Sequence, residues 1–238
     1  MTAIVLAGGR SRRMRADKAG LDVGGRTLLE HVLAQVEPLV DEVLVSRSPG
    51  RSLPIRPRQA AKGTGLPWPQ PSGAEVLLRV IPDDAAGLGP LAGILAGLRA
   101  ARNDACLVVA CDIPEIDVPL LQSLSRSACG SEIAVPIGPS GLYEPLFALY
   151  RKSVIPAIEG LLASGERSIL PLFGRCRTAV VKLEDASWIR NLNTRDDYAS
   201  YLRSIGKTGP ARSAAPARRD GRKRAPASPA ARERRPAR

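Results

Sequence analysis

Residues 4–18 read IVLAGGRSRRMRADK, from Ile4 to Lys18. The stretch opens on a short apolar run, Ile4 to Leu6, that predicts a buried strand. It breaks at Gly8 and Gly9 into a loop carrying Arg10, Arg12, Arg13, Arg15 and Lys18. Glycines let backbone N–H groups approach an anion closely, and the cations balance its charge. A solvated basic loop would look similar in isolation. Its place at the end of the first strand favours a phosphate cradle, because open α/β sheets bind ligands at the carboxyl ends of their strands.

Outward from this loop the chain alternates strands and helices. Thr2 to Leu6 is the first strand. Thr27 reads as an N-cap, with Glu30 completing a capping box before Leu28, Leu29, Val32, Leu33 and Val36 at helical spacing. His31, the only histidine, reads as a surface or helix-packing residue. Strands are expected at Glu42 to Ser46, Leu77 to Ile81, Ala105 to Ala110, Glu132 to Pro136, Tyr143 to Tyr150 and Thr178 to Leu183. Helices are expected over Leu91 to Arg102, Val118 to Ser127, Val154 to Ser164, Ser168 to Phe173 and Arg195 to Ile205, the last capped by Thr194. This alternation predicts an α/β fold, a three-layer α/β/α domain on a mostly parallel sheet, over residues 1–205. Residues 48–74, rich in proline, read as an irregular surface excursion.

The 238 residues are 44% hydrophobic but only 3% aromatic, so the core must be aliphatic. The net charge of +12 is concentrated at one end: residues 206–238 hold eleven Lys and Arg against Asp220 and Glu233, leaving about +3 for the rest. With almost no large apolar side chains, residues 206–238 read as a disordered basic tail that could attract nucleic acid or another polyanion non-specifically. Cys106, Cys111, Cys129 and Cys176 show no CxxC spacing, which disfavours a Cys/His zinc site and a disulfide framework. The sequence predicts no signal peptide and no membrane span, hence a cytoplasmic protein.

Asp112 follows the most apolar strand and precedes Ile-Pro. A carboxylate at the end of a buried strand suits one Mg²⁺ ligand beside substrate phosphates. Asp83 ends a neighbouring strand. Either could be a simple turn former, but with the basic glycine loop the set suits a nucleotide–Mg²⁺ complex. There is no GxxxxGK[ST], no GxGxxG after the first strand and no GxSxG, which disfavours P-loop NTPases, nicotinamide-dependent dehydrogenases and serine hydrolases.

The segment LAGGRSRRMRADKAGLDVGGRTLLEHVL resembles the signature LAGGxSxRMGxDKxxLxxxGxxLL of the molybdenum cofactor guanylyltransferases and their MobA-like nucleotidyltransferase relatives. PDDAAGLGPLAGILAGL, ACDIP, EPLFALYR, GERSI and NLNTRDDY resemble that family's later segments, in order. The resemblance covers roughly residues 2–202 and implies a Rossmann-like nucleotide-diphospho-sugar transferase fold. It implies Mg²⁺-dependent transfer of GMP from GTP to molybdopterin, with release of pyrophosphate. Arg13, Lys18 and Asp112 would be catalytic, with Asp112 the metal ligand. Backbone groups of Leu6, Ala7, Gly8 and Gly9 would frame the nucleotide, with Ser46 and Asp83 near it and Asn191 and Asn193 on the pterin side. Arg15 stands where the pattern has Gly, and Ser46 where a guanylyltransferase commonly has Asn. Gly8-Gly9 and the GPLAG at 89–93 favour guanine over the LAAG of the cytidylyl relatives. The implied partners are GTP, the molybdopterin cofactor, and molybdoenzymes or cofactor-delivery proteins, with the chain itself a monomer. Two alternatives stay open: transfer from CTP or to another acceptor such as a sugar phosphate, and a non-catalytic nucleotide-binding protein.

Overall fold

The structure is a computed structural model, and it describes residues 1–7, 17–47, 52–55, 66–69, 75–82, 88–185 and 191–206. Contacts group Met1–Thr208 as one unit and Gly209–Arg238 as another, and the fold described is that of the first. The tail expected from Gly206 onward lies outside the described residues, Gly206 excepted, as do most of 48–74 and the loop residues 8–16.

The main sheet has eight strands. In chain order they are β1 (Thr2–Leu6), β4 (Glu42–Arg47), β5 (Leu66–Pro69), β6 (Glu75–Pro82), β7 (Ala105–Ala110), β8 (Ile133–Ile137), β9 (Phe147–Arg151) and β10 (Thr178–Lys182), while β2 (Asp22–Val23) and β3 (Arg26–Thr27) form a separate hairpin. The order across the sheet is β10-β8-β9-β7-β1-β4-β6-β5. β7, β1, β4 and β6 are mutually parallel, with Leu6 level with Ser46 on one side and Ala110 on the other. β9 runs antiparallel between β7 and β8, and β10 is parallel to β8.

Two features depart from the sequence expectation. The excursion at 48–74 contains β5, which pairs antiparallel with β6 and makes an edge. Prolines are tolerated at an edge, where no ladder bond is demanded of the missing N–H. The strand expected from Tyr143 is ladder-paired only from Phe147; Tyr143 makes a single bridge to Ile137.

The helices are α1 (Leu28–Val36), α2 (Pro90–Ala100), α3 (Val118–Ser127), α4 (Ile155–Ala163), α5 (Leu170–Phe173) and α6 (Arg195–Ser204). Side chains of a strand alternate between faces, so β1 divides its own core. Ala3 and Val5 join Leu29, Val32 and Leu33 of α1 and Leu120, Leu121 and Leu124 of α3 on one face. Ile4 and Leu6 join Leu91, Ile94, Leu95 and Leu98 of α2 and Ile158 and Leu161 of α4 on the other. Helix α2 lies so close to β1 that a Cβ on Gly97 would stand 2.5 Å from Ile4 Cγ2.

The turn Gly24-Gly25 has φ of 64° and 90°, the left-handed pair that a tight two-residue hairpin loop demands. It starts a third cluster, in which Val23, Leu28, Leu192, Tyr198, Tyr201 and Leu202 hold α6 against the hairpin and the start of α1. Among the described residues no helix is long and apolar enough to cross a membrane.

Candidate active site

From β1 the chain adds β4 and β6 on one side and then crosses to place β7 on the other. The strand order therefore reverses between β1 and β7, and an open α/β sheet has its ligand crevice at the carboxyl ends of such a pair. Those ends are tied together: the Cys111 N–H donates to the Leu6 carbonyl at 3.2 Å, and the Ala7 N–H to the Ser46 carbonyl at 3.0 Å. Leu6, Ala7, Ser46 and Asp112 thus line one edge. Ser46 is buried, and its backbone carbonyl holds Ala7.

Lys18 opens the short 3₁₀ turn Lys18–Gly20, whose N-cap Asp17 accepts the Ala19 N–H at 3.2 Å. That turn aims the lysine back across the crevice. Its Nζ donates to Asp112 Oδ2 at 2.7 Å and to Asn193 Oδ1 at 2.8 Å. The side chains of Lys18 and Asp112 are 17% and 22% exposed, so the pair is shielded yet reachable by a ligand. Asp112 is held a second way, since its carbonyl accepts the Leu192 N–H at 2.9 Å. Three segments far apart in sequence therefore meet at one point.

The Asn193 end is built by α6. Its N-cap Thr194 accepts the Asp197 N–H, and Asp197 Oδ2 accepts the Thr194 N–H at 2.7 Å and the Asn193 N–H at 3.1 Å. The Thr194 hydroxyl, together with these two backbone N–H groups and to a smaller extent the Lys18 charge, holds the Asp197 carboxyl below its ordinary value. Asn191 accepts the Asn193 N–H through its carbonyl at 2.9 Å.

Two residues that sequence reasoning missed fix this geometry. Gln35 on α1 donates from Nε2 to the Pro114 carbonyl at 2.7 Å and accepts the Ile116 N–H at 3.1 Å, clamping the loop that follows Asp112. No local signal marks it, because its partners lie some eighty residues away. Asp197 was legible as the fourth residue of a Thr-x-x-Asp cap. His31 is not in the site: its Nε2 and the Tyr201 hydroxyl hydrogen-bond at 2.9 Å, tying α1 to α6. Burial pushes the His31 pKa down.

Burial, with the Asp112 charge next in size, pushes the neighbouring Cys111 thiol up to about 12, so it stands as a neutral thiol rather than a nucleophile. Arg13, Gly8, Gly9 and Asp83 lie outside the described residues.

The donor set bears on a metal. Among the described residues no group of three or more His, Cys, Asp or Glu could hold an ion, which does not suit a closed protein cage. A single accessible carboxylate does suit Mg²⁺, which keeps several waters and binds through one or two carboxylates plus substrate phosphates. Asp112 meets that requirement, with Lys18 as its present counter-charge.

The model of the MobA-like NTP transferase domain matches residues 3–179. A probable molybdenum cofactor guanylyltransferase from Pelotomaculum thermopropionicum is 35% identical over 217 residues, which is 87% of this chain and 96% of that protein. Molybdopterin-guanine dinucleotide biosynthesis protein A from Archaeoglobus fulgidus superposes with a TM-score of 0.65 at 26% identity, covering 87% of this chain and 99% of that one. The 2-C-methyl-D-erythritol 4-phosphate cytidylyltransferase of Thermus thermophilus shares the fold, with a TM-score of 0.60 at 22% identity over 87% and 100% of the two chains.

Proposed function

The chain belongs to the MobA-like NTP transferase family and is a nucleotidyltransferase, and we propose that it transfers GMP from GTP to the terminal phosphate of molybdopterin with release of pyrophosphate. A phosphate oxygen of the acceptor attacks the α-phosphorus of GTP. The bond from that phosphorus to the bridging oxygen breaks, and the pair of electrons leaves with pyrophosphate. The nucleophile is already anionic, so no general base is needed. The protein's work is positioning and charge neutralisation.

The observation that carries this reading is Lys18 joined to both Asp112 and Asn193 at the reversal point of the sheet. One ammonium group sits between a carboxylate suited to metal and an amide suited to the acceptor, where an α-phosphate would be attacked. Lys18 and Arg13 would neutralise the triphosphate. Gly8 and Gly9, with Leu6 and Ala7, would frame it through backbone groups, and Ser46 and Asp83 would stand beside the nucleoside. Asp112 would hold Mg²⁺, which when bound offsets charge on the triphosphate and the leaving pyrophosphate. Asn191 and Asn193 would meet the pterin. The curated relative of matching length, a probable molybdenum cofactor guanylyltransferase, supports this choice of substrates.

Pyrophosphate release by the purified chain tests the proposal, with GTP, CTP and ATP each offered molybdopterin or a sugar phosphate. Release with GTP and molybdopterin, dependent on a divalent cation, is expected. Preference for CTP, which the shared fold of a cytidylyltransferase permits, would overturn the base assignment. Turnover only with a sugar phosphate would overturn the acceptor.

A further inference from the structure

Glu144 lies in the segment that leads from β8 into β9 and crosses the carboxyl end of β7. Its N–H donates to the Pro136 carbonyl at 3.0 Å, and its carbonyl accepts the Phe147 N–H at 3.1 Å. Two residues on, the Leu146 carbonyl accepts the N–H of Ala110, two residues before Asp112, at 2.9 Å. The backbone is therefore pinned to the same sheet edge as the candidate site.

Its carboxylate, by contrast, meets no protein group among the described residues. Among the described residues every other carboxylate shielded from solvent has a partner: Glu30 and Asp117 cap helices, Glu42, Asp112 and Glu132 meet cations, and Glu166 and Asp197 accept backbone N–H groups. Glu37 too has a partner. Glu144 is half-buried and makes no side-chain hydrogen bond or ion pair among the described residues, and burial alone pushes its carboxyl up. Burying an unpaired carboxylate costs stability, and such groups cluster where a ligand completes them. Its neighbours in sequence are apolar and aromatic. Tyr143 packs on Phe173 with ring centroids 5.0 Å apart, and Leu142 is 68% exposed.

We propose that Glu144 reads the amino-pyrimidinone edge of the acceptor's pterin, its two carboxylate oxygens accepting from the ring N3–H and the 2-amino group. This assignment rests on the reaction proposed above. Guanine offers the same pair of donors, so the choice between the rings comes from the sheet order. Glu144 precedes β9, on the far side of Asp112 from β4 and Ser46, where the nucleoside is placed. The segment that carries it thus crosses the acceptor half of the crevice.

The test is a fluorescence titration of the full chain with free pterin (2-amino-4-oxopteridine), comparing wild type with Glu144→Gln. The same proteins are assayed for the KM of GTP and for Tm. Pterin affinity should fall about tenfold or more, the range of a charge-assisted hydrogen bond. The KM of GTP should hold, and Tm should stay or rise because an unsatisfied carboxylate is gone. Absence of pterin binding by wild type, equal affinity in the variant, a shift confined to GTP, or a drop in Tm would each overturn the assignment. Failure of wild type to release pyrophosphate with molybdopterin would reject the proposed reaction while leaving the pterin titration to decide the role of Glu144.

Discussion

Lys18 has one ammonium group and more than one anion to serve. In the structure it neutralises Asp112 and holds Asn193; in the proposed complex it must also face the triphosphate. Lys18→Ala should lower kcat/KM for GTP by tenfold or more, since a charge-assisted contact to phosphate is worth roughly 1.5–3 kcal/mol. Steady-state kinetics check this, and an unchanged GTP response would contradict it. Asp112→Asn should abolish divalent-dependent pyrophosphate release while moving Tm little, because a partly exposed ion pair contributes only about 0–1 kcal/mol. Near-normal turnover would remove the metal role. Gly97 illustrates a residue constrained by packing alone: Gly97→Ala drives a methyl against Ile4 and should cost about 1–3 kcal/mol in denaturant unfolding. The double variant with Ile4→Ala should lose less than the sum of the two single changes, as expected for touching residues.

At the scale of elements, the candidate site is a meeting of three chain segments, each steadied by its own device. The Lys18 turn is capped by Asp17, the Asn193 segment by the Thr194–Asp197 box, and the Asp112 loop by the Gln35 clamp. The first two are short-range, and the Thr194 cap was legible because a hydroxyl capping residue before a helix is a local pattern. The clamp is not, since nothing near Gln35 in sequence indicates that α1 reaches the loop after β7. Gln35→Ala should raise the divalent cation concentration needed for half-maximal activity and lower stability by about 1–2 kcal/mol, two ordinary hydrogen bonds' worth. Gln35→Glu, which can still accept from Ile116 N–H but cannot donate to the Pro114 carbonyl, should fall between. A metal response identical to wild type in both variants would show that the clamp does not position Asp112.

Across the whole molecule, the two edges of the sheet are used differently. The carboxyl edge carries the candidate site; the amino edge carries a buried carboxylate at the start of β4. Glu42, 1% exposed, accepts from the Thr2 hydroxyl at 2.8 Å, the Arg102 N–H at 2.8 Å and Arg79 Nη2 at 2.7 Å. Burial pushes its carboxyl up, but these donors and the Arg79 charge together push it further down, below its ordinary 4.5. A depressed carboxyl contributes stability that is fully present above the unfolded-state value and is lost as pH falls through the folded one. Thermal unfolding followed from pH 7 to pH 3 should therefore show Glu42→Gln destabilised at neutral pH, with the gap to wild type closing below about pH 4.5. A gap that does not change with pH would contradict this. Truncation after Ile205 should leave pyrophosphate release intact, since the proposed site residues all precede it; loss of activity would give the basic tail a role in catalysis.

The α/β class, most of the strands and helices, both helix caps and the basic loop and carboxylate of Lys18 and Asp112 could be read from the chain, because each depends on residue types within a turn or two of one another; the role expected of Asn193 came from the family resemblance alone. The tertiary structure alone decided that β9 slips antiparallel between β7 and β8, that Gln35 braces the Asp112 loop, that Lys18 bridges to Asn193 across 175 positions, and that the Glu144 carboxylate meets no partner among the described residues. Hydrophobic periodicity and capping are short-range and survive in a one-dimensional string. Which strand edges and polar groups then meet is settled by packing the two aliphatic faces of the sheet, and that choice is not written near any of the residues it brings together.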